Sequence, residues 1–140
     1  MKRKKHRDTE ERILLYRLGE DTGKGAALRA LLTQMSIPFV TVNPEDLSQT
    51  VGFLAGLDSL SLPAAPYEGE IPCEECMVMR GLSSAKLDRL LRNIRQMGIP
   101  PVALKAMVTP INKDWTMLQL MTEIKKEHEQ MHAANSPLQK

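Results

Sequence analysis

"QMSIPFV" at residues 34–40 returns, sixty-two residues later, as "QMGIPPV" at 96–102. Each copy closes a stretch with apolar residues at helical spacing. Leu28, Leu31, Leu32 and Met35 precede the first; Leu87, Leu90, Leu91, Ile94 and Met97 precede the second. With that offset residues 14–40 align with 76–102 without a gap, and "VTVNP" at 40–44 then resembles "AMVTP" at 106–110 after four additional residues. The phrase reads as a helix end, a turn and the start of an edge strand, written once in each of two strand–helix–strand–helix halves, 11–57 and 76–131.

Outward from the phrase, "ILLYRL" (13–18) and "CMVMRG" (76–81) are short apolar runs ending at glycine, the pattern of strands buried on both faces. "PFVTV" and "VALKAMV" supply the second strand of each half. "NPEDLSQTVGFLAG" predicts one helix, with Asn43 as cap, Pro44 at its first position, acidic Glu45 and Asp46 in the first turn, and Leu47, Val51 and Leu54 as its buried stripe. Ser83 caps the helix of the second half, and Thr109-Pro110 or Asn112 opens the last helix, where Met117, Leu120, Met121, Ile124 and His128 share a face. Between the halves, residues 58–72 hold three prolines and no helical period, a connection long for a compact domain. Residues 1–10 and 133–140 are expected to be disordered tails around a single domain, 11–132.

Alternating strands and helices imply an α/β fold with a four-stranded, mostly parallel sheet and helices on both faces. If a pseudo-twofold relates the halves, strands 1 and 3 are central and the order is 2-1-3-4. Ligands of such sheets lie beyond the carboxyl ends of the strands, where the order reverses.

Composition narrows the classes of function. Of 19 Lys/Arg, five lie in "MKRKKHR", leaving 14 against 17 Asp/Glu in the rest of the chain, so the body lacks the basicity of a nucleic-acid-binding domain. Nucleic acid and membrane are therefore not expected partners. The acidic "DTEER" follows the basic start where a signal peptide would be apolar, and two cysteines form no disulfide framework; both point to the cytoplasm.

Two stretches carry possible chemistry besides the last strand. "GEDTGKG" (19–25) is near a phosphate-binding loop but has three residues instead of four between Gly19 and Gly23, and Gly25 where a hydroxyl should follow Lys24. It reads as a strand-to-helix turn. "CEEC" (73–76) precedes its strand and holds two glutamates, which disfavours a redox dithiol. Cys73 and Cys76 with His128 and His132 form the residue set of a structural zinc site, 51 residues apart, which only the fold could assemble. No stoichiometric zinc, and no other cofactor, is expected, because helix-end histidines and a buried cysteine have other duties.

"LKAMVTPINKDWT" (104–116) holds Lys105 within an apolar strand, then Thr109, Asn112 and the single Trp, Trp115. This stretch resembles the signature of a small family of bacterial proteins, mostly Gram-positive, catalogued as a domain of unknown function: Leu104, Lys105, Ala106, Thr109, Asn112, Trp115 and Thr116 occupy its fixed places. The resemblance extends over residues 76–130, including "MVMRGLSSAKLDRLLRNIRQMGI", and leaves out "CEEC". It implies no established activity.

The scaffold account of the motif has Lys105 guarding an edge strand, Thr109 and Asn112 capping, and Trp115 buried in the first turn of the last helix. The ligand account makes Lys105, Thr109, Asn112 and Trp115 an anion site. No base or nucleophile accompanies these residues, so the chain is expected to be a non-catalytic binding or regulatory module, with a protein partner or a second copy. The alternative is a small anion- or metabolite-binding enzyme or sensor using Lys105, Asn112 and Trp115, and a weaker one is the zinc protein. A polar-lined pocket at Lys105–Asn112–Trp115 would favour the sensor; an exposed apolar patch on the Met-rich last helix would favour the binding module.

Overall fold

A computed structural model describes residues 10–57 and 64–134. Four strands, β1 (Arg12–Tyr16), β2 (Phe39–Val42), β3 (Cys76–Arg80) and β4 (Leu104–Met107), form one sheet in the order β2-β1-β3-β4. The helices are α1 (Gly23–Gln34), the one-turn α2 (Val51–Leu54), α3 (Ser84–Gln96) and α4 (Met117–Ala134). Two 3-10 turns, Pro44–Ser48 and Asn112–Asp114, precede α2 and α4.

The α/β class, the strand order and the central pair are as the sequence implies, but the sheet is mixed. β1 runs parallel to β2 and β3 parallel to β4, whereas β1 and β3 are antiparallel, Tyr16 opposite Cys76 and Arg12 opposite Arg80. The sheet is thus mixed where a mostly parallel one was expected, and strands 1 and 3 do not run together as the expected superposition of the halves requires. The cause is the connection between the halves. Gly56 stands against the Arg12 side chain, at the start of β1, so a parallel β3 could begin there. At Pro72, however, the chain is at the far end of β1, where the Tyr16 hydroxyl donates to the Pro72 carbonyl at 2.8 Å. The long connection returns the chain before β3 begins, and β3 therefore runs the other way.

Alternation along the strands builds two cores. Ile13, Leu15, Met77 and Met79 face α1 and α3, whose Leu28, Leu32, Leu90 and Ile94 pack on them. Leu14, Tyr16, Cys76 and Val78 face the opposite layer, with Leu47, Val51, Met117, Leu120 and Met121. Antiparallel central strands put both crossover helices, α1 and α3, in one layer; parallel ones with right-handed crossovers would have separated them.

The helix expected over 43–56 is divided. Thr50 and Thr116 form an antiparallel bridge, Val51 N–H donates to Trp115 O at 2.8 Å, and Met117 N–H donates to Gln49 O at 2.8 Å. That pairing takes backbone groups a continuous helix would use, and leaves the Pro44–Ser48 turn and α2, capped by Thr50 Oγ1. Thr116, not Thr109 or Asn112, caps α4, accepting from Gln119 N–H at 3.0 Å. Ser83 caps α3 as expected, accepting from Lys86 N–H at 3.1 Å. No helix among the described residues is long and apolar enough to cross a membrane. Of the tails expected at 1–10 and 133–140, residues 1–9 and 135–140 lie outside the described residues, as do residues 58–63 of the connection; α4 continues through residues 133 and 134.

Candidate functional site

Mixed strand directions decide where sites can form. The carboxyl ends of β1 and β2 lie at one end of the sheet and those of β3 and β4 at the other, so no crevice is shared by all four.

At the carboxyl end of β4, Thr109 and Asn112 come together. Asn112 is buried; its Oδ1 accepts from Thr109 N–H at 2.8 Å, its Nδ2 donates to Met107 O at 2.9 Å, and its own N–H donates to Thr109 Oγ1 at 3.0 Å. These bonds close the turn after β4 and commit the Asn112 amide to backbone. Trp115 is half-buried, in extended backbone before α4 and not in its first turn as expected, and packs on the core that Met117 and Leu104 share. Lys105 is not with them. It sits beside Met77, on the α1/α3 side of the sheet, and its Nζ donates to Val102 O at 3.2 Å. A cavity of about 260 Å³ at this end is lined by Arg80, Thr109 and Lys113, among others. Arg80 donates to Ala55 O at 2.9 Å and stands 3.5 Å from Glu10; Lys113 pairs with Asp114 at 3.2 Å.

At the other end, the near-phosphate loop is a helix cap. Thr22 Oγ1 accepts from Gly25 N–H at 2.9 Å, and a Cβ on Gly25 would stand 2.1 Å from Gly19 O, so the glycine serves close backbone approach. Lys24 turns away from any phosphate position to Glu75 at 2.5 Å and Pro101 O at 2.7 Å.

On the opposite side of the same end runs a groove between residues 67–74, the start of β4 and α4. One part, about 380 Å³, has Leu104, Leu118 and Met121 along its floor and Tyr67, Ile71 and Cys73 on its wall. An adjoining part of about 260 Å³ reaches Ala103, His128 and Glu129. Glu74 and Lys125 line both and join across the groove at 2.8 Å. The hydrogen bond from Lys125 holds the Glu74 carboxyl below its usual range, and Glu74 raises the Lys125 ammonium. The wall is well anchored: Tyr67 N–H donates to Glu45 O at 3.0 Å, and its hydroxyl to Glu70 O at 2.7 Å. Ile71 is 52% exposed within this wall. A connection is all that the composition of 58–72 implies, and no groove is expected from it. The groove's signal was the length of that segment together with the apolar face of the last helix.

The described members of the zinc set have different surroundings. Cys73 and His128 do line adjoining parts of one groove, but Cys76 belongs to the core of β3, and burial pushes its thiol up to about 12. The His132 side chain lies outside the described part. Among the described residues, no three His, Cys, Asp or Glu side chains gather as a metal site requires.

Residues 75–131 match the model of a family described as Domain of unknown function (DUF3783). The match begins just before β3 and ends within α4, so it includes the β4 turn and the α4 side of the groove but not the 67–74 wall. Neither a curated protein nor a solved structure matches the chain.

Proposed function

We propose that this protein is a non-catalytic binding module, docking a segment of a partner protein into the groove between residues 67–74 and α4. One observation carries the reading: the groove has an apolar floor of Leu104, Leu118 and Met121, of which Leu118 is partly exposed, and the Ile71 side chain stands half-exposed on its wall. Its polar lining, Glu70, Thr122 and the Glu74–Lys125 pair that crosses it, holds no nucleophile set against a base, the layout of a recognition surface more than of a reaction centre. The rival anion sensor has less support, since Lys105 faces away from Thr109 and Asn112, and the Asn112 amide is already used.

A photo-crosslinker attached to Cys73, at the wall of the groove, tests this. A single partner protein should be captured, should bind the wild type stoichiometrically when purified, and should be lost with Ile71→Glu. Binding unchanged by Ile71→Glu would remove the groove from the account. A rise in wild-type melting temperature with inorganic phosphate, absent in Lys105→Met, would move the function to the anion reading.

A further inference from the structure

One ion pair bridges the groove, and the charges around it are unequal. Three carboxylates, Glu70, Glu74 and Glu129, line its two parts against a single lysine, Lys125. His128 is the remaining basic side chain on the lining. The field inside is therefore set toward cations. The bridge is also exchangeable: the side chains of Lys125 and Glu74 are 50% and 27% exposed, and pairs of that kind are held weakly against water.

Resting on the reading of this groove as a docking surface, we propose that the docked segment carries a lysine, whose ammonium takes the place of the Lys125 ammonium at Glu74. Its aliphatic stem then lies against the partly exposed Leu118 and the exposed Ile71, the stem-on-apolar, head-in-water arrangement that suits lysine. The exchange keeps Glu74 paired throughout, and Lys125, on the exposed side of α4, moves into water. The two parts of the groove, divided by the bridge, become one channel long enough for a short extended segment. A glutamate-bearing segment would have to take Lys125 from Glu74 and stand among three like charges, which is unfavourable.

Two blocked hexapeptides, identical except for lysine against glutamate at two places, separate these cases when titrated into the isotopically labelled protein. The lysine peptide should shift the signals of Leu118, Met121 and Thr122 saturably, and the glutamate peptide should not. Glu74→Gln should weaken the lysine peptide about fivefold, the size of a partly exposed ion pair, and Lys125→Ala should tighten it by a similar factor. The sign of the Lys125 effect is decisive: weaker binding in Lys125→Ala, or equal binding of the glutamate peptide, overturns the charge assignment while leaving the docking reading intact. Hexylammonium binding as tightly as the peptide would make the ligand a small amine and overturn the protein segment. Loss of the Ile71→Glu effect on partner binding overturns the docking reading itself.

Discussion

Ser36 and Gly98 hold the same backbone conformation, φ 59° and 72°, at the ends of α1 and α3. Ile37 N–H donates to Leu32 O and Ile99 N–H to Ile94 O, while Ser36 and Gly98 donate to Thr33 O and Arg95 O. Both helices thus end in the paired 6→1 and 5→2 bonds of a Schellman cap, with Ile37 and Ile99 buried after it. The repeated phrase is this cap. Only glycine adopts that φ without strain. Ser36→Gly should therefore stabilise the protein by about 0.5–1 kcal/mol, and Gly98→Ala, where a Cβ meets nothing within 4 Å, should destabilise it by about 1 kcal/mol through φ alone. Urea unfolding of the two variants checks both signs. At this scale the caps were legible because they depend on neighbours within six residues. The partner of Lys24 was not, because Glu75 is fifty-one residues away.

β3 carries one thiol sealed in the core and one residue of its approach carries the other in the open. Cys73 is exposed and should react with one equivalent of a thiol reagent in the native state; Cys76 should wait for unfolding. Burial raises the folded Cys76 from its ordinary 9.0 to about 12. Between those values the unfolded chain has lost a proton the folded chain keeps, so stability falls as pH rises from about 9 toward about 12, at a limiting slope of about 1.4 kcal/mol per pH unit. Comparison of wild type with Cys76→Ala at pH 8.5, 9.5 and 10.5 (chosen to straddle about 9) isolates this contribution; parallel curves would refute it. The strand was readable as buried from its apolar run. Which end of it would be accessible was not. The divided helix before α2 has a similar cause: Asn43-Pro44 signals a helix start correctly, and the Thr50–Thr116 bridge, a contact between distant segments, ends it within two turns.

Across the whole molecule the most protected backbone should be the antiparallel pair at the centre. Ile13–Tyr16 and Cys76–Met79 are at most 3% exposed, covered on both faces and flanked on both edges. Their amides should exchange slowest in native-state hydrogen exchange, with β2, β4 and α2 opening first. Slower exchange in β4 than in β3 would contradict this hierarchy. The same topology gives the two ends of the sheet different surroundings: the Thr109–Asn112 turn and a cavity beside Arg80 and Lys113 at one, the groove between the 67–74 wall and α4 at the other.

From the sequence alone came the number, kind and order of the main elements, the two central strands, the Ser83 cap of α3, and the helix end and turn that close α1 and α3. These follow from burial patterns and bonds confined to a few neighbouring residues, and such information is local by nature. The direction of β3, the splitting of the helix after Asn43, the separation of Lys105 from Asn112 and the existence of the groove were decided by tertiary structure. The direction of β3 and the groove depend on where a connection of fifteen residues brings the chain back, and the split helix on a bridge between Thr50 and Thr116; no periodicity records contacts between segments so far apart.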